Sequence, residues 1–195
     1  MSDGKEQDMS SRQPRLAPPD TAAFTPEQQA VHDAIAAGPR GTVRGPALMW
    51  LHSPDLAAAA QKLGEHLRWG TVFDLRLSEL AILTTARHYR SDYMWFNHVP
   101  VALKAGLTQA VIDALRDRTP PPFAADDEAA VHAFCSEALT DTRVSEAALK
   151  GIVSRFGPRG AVELCAIMGH YHHGALVLAT AGLPRADGAP DELGP

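Results

Sequence analysis

The stretch from Arg76 to His98, RLSELAILTTARHYRSDYMWFNH, constrains this chain more than any other. Its first half is an apolar helical run (Leu77, Leu80, Ile82, Leu83) carrying a lone acid, Glu79. In its second half Ser91, Met94, Trp95 and His98 recur at i, i+3, i+4 and i+7, and residues three or four apart stack on one helical face. Two helices so patterned must bury faces against each other, and they would bring a carboxyl and an imidazole inside, the raw material of proton transfer.

The rest of the chain is equally helical. Thr25-Pro26-Glu27-Gln28 combines a threonine cap, proline at the first helical position and glutamine at the third. Ser53-Pro54 opens a helix reaching about Arg68, and further helices are expected over about 74–89, 92–105, from Thr108, and over 125–140, 145–156 and 160–181. Pro100 should kink the helix it interrupts, and Gly157-Pro158 should stop another. No segment alternates with period two between hairpin turns. The expectation is an all-α fold of about seven or eight helices. It forms one domain over residues 24–184, between flexible polar tails at 1–23 and 185–195.

Composition narrows the function. A net charge of −5 over 195 residues, with no basic cluster, argues against a nucleic-acid surface. No run approaches ~20 apolar residues and the N-terminus has no apolar core of signal-peptide type, so no membrane span and a cytoplasmic location are expected. The two cysteines, Cys135 and Cys165, lie in apolar helical contexts and read as buried, inert thiols of a reducing compartment.

Glu79 and His98 are the candidate catalytic pair. A carboxyl among apolar neighbours is desolvated, which raises its pKa and suits it to relay a proton; the alternative is a salt bridge to Arg76 or Arg87. His98 can pass protons either way near neutrality, or else donate to a core carbonyl. In GHYHHG, His170 and His173 share a face and could offer two metal nitrogens. A third would have to come from elsewhere, such as His98, so no metal is assigned. One of those imidazoles, His170, is instead expected in a pocket or an interface. His52 precedes a helix cap where it could face a cleft, and the arginines of GPRGTVRGP (38–46) could meet an anion.

Several strings together resemble the carboxymuconolactone decarboxylase family, which includes alkylhydroperoxidase D. They are LHSPDLAAAAQKLGEHLR, the ELAIL and AR of ELAILTTAR, the W and H of DYMWFNH, the AGL of VALKAGL, and VEL followed by GHY, over about residues 44–184. The resemblance implies an alkylhydroperoxidase D-like helical fold, homo-oligomers (trimers or hexamers), and no organic cofactor or metal. In the family's peroxidase branch a glutamate precedes a CxxC pair by twelve residues and a histidine follows it by four. Here Glu79 and His98 keep those places, while Ser91 and Met94 stand where the cysteines would be. A serine and a methionine cannot cycle through a disulfide, which demotes the peroxidase (antioxidant) role.

What remains is the decarboxylase branch, a carboxy-lyase of aromatic-compound breakdown acting on a small lactone or related carboxylic acid. There Glu79 and His98 would supply proton relay and oxyanion donor, Trp95 and Tyr93 would wall the pocket beside Ser91, and Arg44 or Arg87 would hold a substrate carboxylate. The alternative is a non-enzymatic oligomeric module that binds a small acid or a partner chain, with exposed apolar faces around Leu56 and Val131.

Overall fold

The computed structural model describes residues 14–141, 143–183 and 192–194. Among them are eight helices and no strand: α1 (Pro26–Ala37), α2 (Pro46–Trp50), α3 (Pro54–Trp69), α4 (Leu75–His88), α5 (Asp92–Ala105), α6 (Gln109–Asp117), α7 (Asp126–Thr140) and α8 (Glu146–Ala181). A short 3₁₀ turn, Thr21–Ala23, precedes them.

The organising element is α4. Asp74 caps it by accepting from the Leu77 amide, and every residue from Leu77 to Ala86 is buried. A helix buried on all sides belongs at the centre of a domain, and α4 packs against α5, α7 and α8. Its buried threonines are satisfied within the helix, Thr84 and Thr85 donating to the carbonyls of Leu80 and Ala81. Arg76, in the first turn of α4, reaches α7, where Asp127 and Glu128 each accept from it at 2.7 Å. These partners raise the guanidinium's pKa, the Asp127 hydrogen bond contributing most.

The local signals at the helix ends hold. Thr25 and Gln28 form a reciprocal capping box, and Thr108 and Ser145 cap α6 and α8. Two expectations change. The segment after Gly45 winds into α2, because Pro46 supplies a first-turn residue whose apolar followers Ala47, Met49 and Trp50 are buried. Gly157 does break the helical geometry, with φ 68° and ψ 178°, but the two helical segments meet there at a kink with no loop between them. Pro100 lies within α5, which runs on as one helix to Gly106, whose φ of 110° ends it.

Most of both expected tails (1–13, 184–191 and 195) lies outside the described residues. Of the remainder, the Arg15 amide donates to the Ala181 carbonyl, and Leu193 is buried in the main core. The amides of Glu192 and Leu193 donate to Asp92 at the start of α5. Cys135 is buried as expected, and burial drives its thiol pKa upward; Cys165 is exposed because it faces outward from α8. Leu56 is exposed, but Val131 is fully buried on the inner side of α7 and offers no apolar surface.

Candidate active site

Glu79, in the first half of α4, and His98, in the middle of α5, meet where these adjacent helices pack. Glu79 is completely buried, and its Oε2 lies 2.7 Å from His98 Nδ1. With Glu79 as acceptor Nδ1 is the donor, and Nε2 is the nitrogen left to a substrate. Oε1 of Glu79 faces Arg68 Nη2 from the last turn of α3 at 3.5 Å, an ion-pair distance without a hydrogen bond. The two salt bridges considered from spacing do not form: Arg76 turns to α7, and Arg87 donates to the Arg116 carbonyl at 2.6 Å.

His98 lines a cavity of about 140 Å³ between α3, α5, α8 and the 38–46 loop. The loop contributes Arg40 and Arg44, and α3 contributes Arg68. From α5 come Tyr93, Met94, Asn97, His98 and Val101, and from α8 come His170 and Tyr171. Among the described residues no carboxylate lines this space, and Glu79 lies behind His98. Glu65, whose charge acts on Arg40, accepts from Gln61 at 2.9 Å. Burial, and then the neighbouring charges of Arg68 and Arg44, lower the Arg40 pKa. Guanidinium groups stay charged in proteins, so the cavity draws anions.

Two further polar walls, Tyr171 and His170, are neutral at neutral pH. Burial pushes the Tyr171 phenol up to about 12, so it stays a hydrogen-bond donor; its ring meets His98 edge-on at 5.2 Å between centroids. Burial, followed by the charges of Arg40, His173 and Arg68, pushes His170 down to about 4. The unfolded chain takes up that proton near the ordinary 6.5, so acid favours unfolding over this interval. Stability should therefore fall from pH 6.5 towards 4, by on the order of 3 kcal/mol from this group alone. The His170→Asn variant should flatten that slope in urea midpoints measured across pH.

One glycine is required by the walls. Gly45 has φ 57°, and a Cβ there would fall 2.7–2.9 Å from the Tyr93 ring. Gly45→Ala is expected to cost about 1–3 kcal/mol in denaturant unfolding, through strain and overpacking together.

The structure thus gathers Glu79, His98, Tyr93, Arg44 and His170, and it leaves four expected residues elsewhere. The α5 face on the cavity repeats as Tyr93, Met94, Asn97, His98 and Val101, turned slightly from the stripe read in the sequence. Trp95 therefore points into the main core, at 2% exposure. Ser91 is the N-cap of α5 and lies off the cavity. Arg87 faces a different cavity, and His52 Nε2 contacts the Ala17 carbonyl at 2.9 Å. Sequence reasoning missed Arg68, which looked like an ordinary cation of a helix C-terminal turn, and Tyr171, overshadowed by its histidine neighbours. Among the described residues no three His, Cys, Asp or Glu are grouped to hold a metal ion.

Residues 54–134, spanning α3 to most of α7 and including both Glu79 and His98, match the model of the Carboxymuconolactone decarboxylase family. The similarity to that family thus covers 81 of the 195 residues. Its CxxC positions hold Ser91 and Met94, and neither cysteine of the chain lines the cavity. Arg40, Arg44, His170 and Tyr171 all lie outside the matched stretch, so much of the cavity wall is built by flanking sequence. No curated protein matches the chain. Among the described residues no helix is long and apolar enough to cross a membrane.

Proposed function

We propose that the protein is a cofactor-free carboxy-lyase that decarboxylates a lactone or related cyclic carboxylic acid. The observation that carries this reading is the buried Glu79–His98 hydrogen bond, which backs an imidazole opening onto an arginine-lined cavity within a decarboxylase-family fold.

In this reading Arg44, Arg40 and Arg68 hold a carboxylate that stays on the substrate, since Arg suits planar bidentate recognition. The departing carboxylate lies towards the apolar wall of Met94, Val101 and Leu178, where loss of charge is favoured. As the carbon–carbon bond breaks, CO₂ leaves, and the electron pair delocalises through a conjugated double bond into the lactone carbonyl. The Tyr171 hydroxyl donates to the developing oxyanion. Protonated His98 delivers its Nε2 proton to carbon and recovers it from solvent. Glu79 does not touch the cavity; it is a positioning residue that fixes the imidazole and balances the imidazolium.

The test is ultraviolet-monitored decay of a carboxymuconolactone, run beside a hydroperoxide assay with a dithiol. Turnover in the first alone supports the lyase. Silence in both assigns the fold to a binding module, and peroxide reduction overturns the reading outright. The proposal includes a cytoplasmic homo-oligomer, a trimer or hexamer. Leu56, Leu63 and Trp69 on α3 and Val162 and Leu176 on α8 are exposed and give it apolar surface for association. Light scattering should return a mass of at least three chains; a monomer would remove the oligomer from the proposal.

A further inference from the structure

Arg87 was expected to serve the catalytic site, and its actual surroundings form a second cavity. This space, about 520 Å³, lies between the end of α4, α6, the following linker and α7. It shares no lining residue with the first cavity. Its walls are largely apolar, from Ala114, Leu115, Pro120, Pro121 and Leu139. Arg87 and Arg118 supply its cations, and among the described residues no carboxylate lines it.

The guanidinium of Arg87 is only half engaged. Its Nε donates to the Arg116 carbonyl at 2.6 Å, while its Nη1 is buried without a hydrogen-bond partner. A guanidinium with an unmade hydrogen bond retains capacity for an acceptor, and Arg87 brings that charge to the cavity wall. Asp92 and Asp117 act on Arg87 through their charges, and each also accepts from other groups: Asp117 from Arg116 at 2.9 Å, and Asp92 from the amides of Glu192 and Leu193. Two imidazoles complete the lining, His88 and His132, and burial lowers the pKa of both. His132 Nε2 lies 3.3 Å from the Ser136 hydroxyl. They offer neutral hydrogen-bonding partners, not further cations.

We propose that this second cavity binds a small organic monocarboxylate with an apolar body, its carboxylate beside Arg87 and Arg118 and its ring or chain against Leu115, Leu139 and the prolines. Two guanidinium groups beside a mainly apolar wall fit a monoacid better than a polyanion. The site is independent of the reaction assigned to the first cavity. A bound acid would touch the end of α4, the helix that carries Glu79.

Benzoate is the probe, titrated into the full chain while the side-chain NMR signals of Arg87 and His132 are followed. Saturable shifts at both are expected, with benzyl alcohol and inorganic phosphate binding at least about tenfold more weakly. Arg87→Gln should abolish the shift at His132. Because that variant also loses the bond to the Arg116 carbonyl, Arg118→Gly provides a second arm. Arg118 has φ 55°, a backbone that glycine favours, so this variant removes a cation without harming the fold. It should weaken benzoate several-fold, whereas Arg44→Gln, in the first cavity, should leave the His132 shift in place. Benzoate that fails to saturate, benzyl alcohol or phosphate that binds equally well, or affinity unchanged in Arg118→Gly would each overturn the proposal.

Discussion

Replacing His98 with alanine is expected to slow decarboxylation by about 10²–10⁴-fold, the usual contribution of a positioned acid or base. Arg68 also reaches both the cavity and the buried carboxylate, but its guanidinium stays charged, so the imidazole is the group there that can hand a proton to carbon near neutral pH. Glu79→Gln separates the two roles. The amide keeps the shape and can still accept from Nδ1, but it removes the charge facing the imidazole and Arg68. Turnover should fall mainly in kcat, with KM little changed. The same variant leaves Arg68, 20% exposed, without its partner, which lowers stability as well. Urea unfolding measured beside the kinetics distinguishes the effects. A Glu79→Gln enzyme with wild-type kcat would remove Glu79 from the mechanism.

The second large effect belongs to Trp95. Its ring is 2% exposed among the core residues of α5, so Trp95→Ala should cost about 3–5 kcal/mol of stability by leaving a cavity. Where the folded fraction is restored, by lower temperature or stabilising solutes, substrate affinity should be close to wild type. A variant with unchanged stability and a large rise in KM would return Trp95 to the substrate pocket. Tyr93→Phe is the matching probe on the cavity side and should alter KM with little effect on unfolding.

These two variants show what the sequence could and could not carry. Helix boundaries were legible because caps are local: Thr25, Asp74, Thr108 and Ser145 each accept from an amide within three residues. The pairing of Glu79 with His98 was legible because α4 and α5 are neighbours in the chain and both patterns demanded burial. The rotation of α5 was not. Ser91, Met94, Trp95 and His98 share a broad face, and which edge of it meets the core depends on α7 and α8, far away in sequence. Arg68 was hidden for a related reason. On α3 alone it is an unremarkable basic residue; only packing against α4 places it at Glu79. Arg87 went the other way. Roughly two turns of α4 separate it from Glu79, enough to carry it past the site and into the second cavity.

The three guanidinium groups around the first cavity carry a further consequence for turnover. Among the described residues Arg40, Arg44 and Arg68 line it together, and Glu79 is the fully buried charge behind them. Under the proposed reaction, the substrate loses CO₂ and takes up one proton, so the product leaves with one negative charge fewer than the substrate brought. The walls hold the more highly charged acid more tightly, and the chemical step itself loosens the grip. Release is thereby coupled to chemistry through charge alone, without any moving lid.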